Sequence, residues 1–281
     1  MITTAADLRS ELAAIRGSAP STRVALVSTM GALHDGHIDL IDRAREVADV
    51  VVASIFVNPL RFSRPADYEA YPRTLADDVR LLESLGVESV FAPDVSELLP
   101  DGSATTKVSA GDLGLRYEGR ARPHYFDGLL TVEAKLFHLV QPDVAVYGER
   151  DRQRVFLVRR MIRDLFFDVE VATIRTVRTD DGVPVSTRVG LLDDHDRAAA
   201  ALLATALEAA AANADRGVDA CIAAAQSTLM GEPRIRLEYL SVVDPDTFLS
   251  FDEGSQGRAL ALIAASVGGH RFIDNAEVLI G

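Results

Sequence analysis

The sequence has no tryptophan, a single cysteine and only 6% aromatic residues in its 281 positions. One cysteine, Cys221, permits neither an internal disulfide nor a cysteine metal cluster, and its alanine-rich surroundings predict a small buried core residue. Long apolar runs are missing too. None could span a bilayer, and the opening MITTAADLRSELAAIRG lacks the apolar core of a signal peptide, so no membrane partner and a cytoplasmic location are expected. Basic residues are in deficit, 29 against 42 acidic for a formal net charge of -13. That balance argues against nucleic acid as a partner and leaves room for a local basic pocket holding an anionic substrate. No G-x-G-x-x-G follows the first strand-like run and no Walker loop occurs, so dinucleotide reduction and P-loop hydrolysis lose support.

What is present is an alternation. Strands are predicted at RVALVST, VVVASIFV, ESVFAP, DVAVYG and VEVAT, and amphipathic helices from about Gly36, near 74–86, near 127–140 and near 151–165. This pattern predicts an α/β fold, a parallel sheet covered by helices on both faces. Ligands of such sheets sit beyond the carboxyl ends of the strands, where STMGALHDGH, VNPLRF and YGERDRQ fall. After Thr176 the character changes to a turn, RTDDGVP, a long alanine-rich helix near 194–229 and the β-like runs RIRLEYLSVVD, ALALIAASV and RFIDNAEVLI. The chain therefore reads as a catalytic domain over 1–176 and a smaller α+β domain over 177–281, a possible lid.

Two of the six histidines, His34 and His37, stand three apart where the first strand turns into a helix. Residues at that spacing share a helix face, and the free N–H groups and positive dipole of a helix start favour a phosphate. Two imidazole donors aimed there would steady negative charge on a phosphoryl group. The plainer readings are a surface pair, or a two-histidine metal site lacking its other ligands.

The runs GALHDGHIDLI, SIFVNPLRF, YPRTLADDVRLLESLGVESVFAP, KLFHLVQPDVAVYGERD and VPVSTR, in order from about Val24 onward, resemble the pantothenate synthetase family. That family consists of Rossmann-like nucleotidyltransferase-type proteins marked by a His-x-Gly-His turn. The resemblance implies an ATP- and Mg2+-dependent ligase that joins an acid, pantoate, to the amine of β-alanine through an acyl-adenylate, releasing AMP and pyrophosphate, and working as a homodimer. It implies that His34 and His37 hold the ATP phosphates with Arg150, Ser186 and Arg188. Met30 would lend its backbone at the reacting centre, Gly148 and Asp151 would hold the ribose, and Val177 and Val185 would line the adenine pocket. Asp77 or Asp78 would hold magnesium, and Asn58 would lie at the substrate end of the cleft.

Departures from the family pattern are concentrated. N-P-x-Q-F reads Asn58-Pro59-Leu60-Arg61-Phe62, and G-E-K-D-x-Q-Q reads Gly148-Glu149-Arg150-Asp151-Arg152-Gln153-Arg154. Both glutamines that the family uses to hold pantoate are arginines. R-P-x-H-F carries Tyr125 beside a displaced His124, and S-S-R-N reads Ser186-Thr187-Arg188-Val189. Arg61 and Arg154, with Tyr125, predict a pocket refitted for an acid more anionic than pantoate. The competing readings are outward-facing solvated arginines, a nucleotidyltransferase that releases an adenylated product, and a catalytically silent binding homologue.

Overall fold

The five predicted strands pair into one parallel sheet. The computed structural model describes Met1–Gly281. Along the chain, α1 (Ala5–Ser18) leads to β1 (Val24–Thr29), α2 (Asp35–Val47) and β2 (Val50–Ile55), and α3 (Pro65–Glu69) and α4 (Leu75–Ser84) precede β3 (Ser89–Phe91). Next come α5 (Val95–Leu98), α6 (Glu118–Ala121), α7 (Tyr125–Val140), β4 (Val144–Gly148), α8 (Arg152–Asp164) and β5 (Glu170–Ile174). The strand order is β3-β2-β1-β4-β5. Val24 stands opposite Val50 and Val144 opposite Glu170. The chain winds outward from β1 to β3 and returns on the other side of β1 as β4. The topological switch point, where ligands of open α/β sheets bind, therefore lies between β1 and β4.

The alternation within β1 explains its two coverings. Ala25 and Val27 face one layer, packing with Ile41 and Ala44 of α2 and Leu82 of α4. Ser28 faces the other, where its hydroxyl meets Glu133 of α7. Strand side chains alternate between faces, which produces this division. The N-terminal helix α1, which the polar opening does not announce, is capped by Thr4, whose Oγ1 accepts from the Asp7 N–H at 3.1 Å. It buries Leu8 and Leu12, four residues apart on one face, and Arg16 near its end donates to the Val140 carbonyl of α7 at 3.0 Å.

The chain divides into two compact units, Met1–Glu149 with Leu157–Arg175, and Arg150–Phe156 with Thr176–Gly281. The second unit contains α9 (Asp194–Ala212), α10 (Val218–Leu229) and an antiparallel sheet of β6 (Ile235–Val243), β7 (Gly257–Val267) and β8 (His270–Ile280). The single helix expected near 194–229 is two helices. Asn213 closes the first by donating its side-chain amide to the Ala209 carbonyl at 2.9 Å, and Gly217, at φ +98°, turns the chain into the second. The two helices and the sheet share a core with Leu203, Leu207, Ile263 and Phe272, and Cys221 lies fully buried in it. Burial pushes the Cys221 thiol pKa up, which keeps it unreactive.

Candidate active site

Beyond β1 the backbone makes a left-handed turn. Gly31 has φ +77° and Ala32 φ +51°, and a Cβ on Gly31 would stand 2.9 Å from Asp78 Oδ2. A left-handed alanine costs about 1 kcal/mol, and the carboxylate of Asp78 on α4 offsets it. The Ala32 N–H donates to its Oδ2 at 3.0 Å, the Leu33 N–H to its Oδ1 at 2.9 Å and the Thr74 hydroxyl to Oδ2 at 3.1 Å. Asp78 is 3% exposed. Asp77 is exposed and pairs with Arg80. Of the two aspartates expected beside magnesium, one thus has both oxygens engaged by the turn and the other faces solvent.

The turn delivers His34 to the N-cap of α2. The His34 N–H donates to His37 Nδ1 at 3.2 Å, and the two ring centroids are 4.1 Å apart. With Nδ1 accepting, a neutral His37 carries its proton on Nε2 and offers it as a donor. The first turn of a 13-residue helix and this imidazole together suit a phosphate. Met30 is half-buried just beyond β1, and Gly148 closes β4 opposite Ile174 of β5.

Past β2, Asn58 is buried. Its Oδ1 accepts from the Leu60 N–H at 3.0 Å, capping the short turn Pro59–Arg61, and its Nδ2 donates to the Gly128 carbonyl at 3.0 Å. A Cβ at Gly128 would lie 2.5 Å from the Leu60 Cβ, so glycine lets this turn seat on α7. The seating brings Arg61 to Tyr125. Arg61 Nη2 donates to the Tyr125 hydroxyl at 2.6 Å, with the guanidinium carbon 5.0 Å from the ring centroid. Arg122 stacks on the same ring at 3.7 Å and donates to the Arg61 carbonyl at 2.9 Å. Neither guanidinium has a carboxylate partner, and Arg61 Nε is buried without an acceptor.

Three further polar side chains meet under the ends of β1 and β4. Ser28 Oγ donates to Glu133 Oε1 at 2.8 Å, and the Tyr147 hydroxyl donates to Glu133 Oε2 at 3.2 Å. Glu133 and Tyr147 are each 3% exposed. Sequence reading missed this network, although a glutamate inside the apolar helix GLLTVEAKLFHLV is a visible signal. Arg122 was likewise not singled out.

In the second unit, Arg150 Nη1 donates to the Val185 carbonyl at 2.8 Å, and the Val185 N–H donates to the Val177 carbonyl at 2.9 Å. The Asn275 side-chain amide donates to the Arg150 carbonyl at 3.0 Å. Asp151 Oδ1 accepts from the Arg154 N–H at 3.0 Å, as a helix cap does. Arg178 binds the buried Asp274 through both terminal nitrogens, at 2.6 and 2.9 Å, which pins the segment carrying Val177. Ser186 Oγ accepts from the Arg188 N–H at 3.3 Å, and the Arg188 side chain lies at the surface. The structure therefore joins Arg150 with Val177 and Val185, Asp151 with Arg154, Arg61 with Tyr125, and His34 with His37.

The sheet order and the histidine turn define a Rossmann-like α/β protein of nucleotidyltransferase type. The family model described as Pantoate-beta-alanine ligase matches residues 1–277. The chain belongs to the pantoate-beta-alanine ligase family. It is 47% identical over 272 residues to pantothenate synthetase of Leifsonia xyli subsp. xyli, covering 97% of this chain and 94% of the relative. Pantothenate synthetase from Thermus thermophilus is 42% identical and superposes with a TM-score of 0.89 over 98% of both chains. A Francisella tularensis pantoate-beta-alanine ligase, solved with beta-gamma ATP and beta-alanine, is 31% identical with a TM-score of 0.79, covering 98% of this chain and 97% of its own.

Proposed function

We propose that the chain is an ATP-dependent ligase of pantoate–β-alanine ligase type. It adenylates a carboxylic acid and passes the acyl group to an amine, forming an amide with AMP and pyrophosphate. The observation that carries this reading is the turn from Gly31 to His37 at the end of β1, in a chain matched by the family almost throughout. A carboxylate resists amines until its oxygen becomes a good leaving group. The acid oxygen attacks the α-phosphorus, the bond to the β-phosphate oxygen breaks, and pyrophosphate leaves with the electron pair. The amine then adds to the acyl carbon and expels AMP. Bringing two anions together needs donors and cations at that point.

His37 Nε2, His34 and the first turn of α2 serve the phosphates in this reading, with Arg150, Ser186 and Arg188. Met30 contributes backbone at the reacting carboxyl, Gly148 and Asp151 serve the ribose, and Val177 and Val185 the adenine. Asp151 Oδ2 has no protein partner, which suits that role. No cluster of three metal-binding side chains exists. Magnesium carried by phosphates needs only one or two carboxylates, so Asp77 is the residue available to hold it. Bound there, the ion would neutralise phosphate charge. Asp78 acts by shaping the turn. Homodimeric assembly in the cytoplasm belongs to this reading and is checked by sedimentation.

The acid in this reading is more anionic than pantoate. Arg61 and Arg122 both lie against the Tyr125 ring with no carboxylate partner, and an anionic tail would supply one. Arg154 and Asn58 contribute to the same end. The test is pyrophosphate release with pantoate and with dicarboxylic and phosphorylated acids. Preference for pantoate over all of these would remove the anionic-acid part and leave ordinary pantothenate synthesis.

A further inference from the structure

Two neighbouring residues in the middle of β8, Asp274 and Asn275, each hold a different segment of the second unit. They stand opposite Ile263 and Leu262 of β7, so their side chains leave opposite faces of the sheet. On one face Asp274 accepts from both terminal nitrogens of Arg178, at 2.6 and 2.9 Å. On the other the Asn275 amide donates to the Arg150 carbonyl at 3.0 Å. Both residues are buried, and Asp274 Oδ1 also accepts from the Asn275 N–H at 2.8 Å, which ties one anchor to the other.

The two held segments then meet. β8 is an edge strand in the order β6-β7-β8, with no strand on its far side to keep them apart. Arg178 bridges to Pro184 across a hairpin in which the Val185 N–H donates to the Val177 carbonyl at 2.9 Å, and Arg150 Nη1 donates to the Val185 carbonyl at 2.8 Å. The bonds close a ring that starts and ends on adjacent residues of one strand. A segment held by a single hydrogen bond pivots about it, whereas a closed ring of bonds sets distance and direction together. The tip of the hairpin is held by other means, Val183 in the shared core and Asp181 paired with Arg197.

We propose that Asp274 and Asn275 are positioning residues for nucleotide selection: without touching the nucleotide, they hold the backbone of hairpin 177–185 at one fixed distance from Arg150, and so make the site choose adenine over guanine nucleotides. A backbone carbonyl held in place accepts from the amino group of adenine and repels the oxygen that guanine carries at the same position. The same carbonyl on a loose hairpin would swing aside and tolerate either base. This deepens the ligase reading, on which it rests for giving Arg150 to the phosphates and Val177 and Val185 to the base.

The test uses the full-length protein with the α,β-methylene analogues of ATP and GTP, whose α–β link the reaction cannot break, and measures both affinities by calorimetry. The parent should bind the ATP analogue roughly tenfold more tightly than the GTP analogue, the scale of one directed hydrogen bond. Asn275→Asp keeps the shape of the side chain and loses its donor, and the ratio should fall towards one, chiefly through weaker binding of the ATP analogue. Asp274→Asn should lower it likewise. That change leaves a guanidinium without its charge partner, so the paired change Arg178→Met, Asp274→Leu, which removes both charges together, takes its place if the single variant does not fold. Asp181→Asn loosens only the tip of the same hairpin and should leave the ratio where it is. The ratio is independent of the fraction of protein that is folded, so a variant that is merely destabilised keeps it. Equal binding of the two analogues by the parent, or binding of neither, overturns the proposal. So does the parent ratio persisting in folded Asn275→Asp and Asp274 variants, or an equal fall in Asp181→Asn. If the ratio behaves as expected and no acid supports pyrophosphate release from ATP, the ligase reading fails and the positioning role of the two residues stands.

Discussion

The histidine turn and the arginine corner belong to the same unit and are built from different materials. At the histidine turn the shape is a matter of backbone: two left-handed residues, two N–H groups captured by Asp78, and a helix start that delivers His34 and His37. At the arginine corner the backbone seat is provided by Asn58 and Gly128, and what it carries is a cluster of side chains, the partly exposed Arg61 and Arg122 against the buried ring of Tyr125. A turn fixed by backbone hydrogen bonds has one shape, so changing its supports should damage fold and chemistry together. Side chains mounted on a fixed seat can be exchanged with the scaffold intact. On the proposed reading, that contrast would let phosphate handling and acid choice change independently in one chain.

The sharpest way to break the contrast is at Asp78. Asp78→Ala would strand two N–H groups in a strained turn, and a loss of about 3 kcal/mol is expected, seen as a melting temperature lower by several degrees. Pyrophosphate release should fall with it. A variant as stable as the parent would mean that the turn holds itself. His37→Ala addresses the chemistry separately. Adenylation should slow about a hundredfold, the usual scale for one preorganised donor, with melting lowered only slightly by loss of the helix-start bond from the His34 N–H. An unaltered rate would take His37 out of phosphate handling.

Exchange at the other end should behave differently. Arg61→Gln is expected to alter the order of acid preference by roughly tenfold, since a charge-assisted contact contributes about 1.5–3 kcal/mol. Stability and the KM for ATP should stay where they were. A rise in the KM for ATP would show that the corner is no separate module.

These contacts differ in how visible they are in the chain itself. The sheet could be read because β-branched runs recur with helical segments between them, and the histidine pair because it stands alone at a strand end. The Asp78 bond to the turn spans 46 positions and leaves no local trace, since ADDVRLLESLG looks like any helix with an acidic first turn. Arg61 against Tyr125 spans 64 positions and depends on how the turn at Asn58 seats on α7. The break between α9 and α10 was marked by Asn213, Asp215 and Gly217, but the alanine run on either side conceals it. Glu133 was conspicuous by charge, while its partners lie on two strands distant in sequence.

The smallest expected effect lies in the second unit. The Arg197 guanidinium and then the Thr179 hydroxyl hold the Asp181 carboxyl well below the usual carboxylate range. A depressed carboxylate pKa adds stability above the unfolded-state value near 4 and loses it as pH falls towards the folded value. Asp181→Asn should therefore cost less than about 1 kcal/mol at neutral pH, the range of an exposed pair, and the gap should close in acid. Melting curves from pH 7 down to about 3 follow it, and a gap that widens in acid would reverse the assignment.

The most direct measurement mixes the protein with ATP, magnesium and the acid panel, with and without an amine, and follows pyrophosphate, AMP and amide together. The expected result is acid-dependent pyrophosphate in a single burst without amine. Sustained AMP and amide should appear only when an amine is added. Continuous release of a free adenylated acid, or no acid-dependent pyrophosphate from any acid, would contradict a ligase that adenylates at the histidine turn and chooses its acid elsewhere.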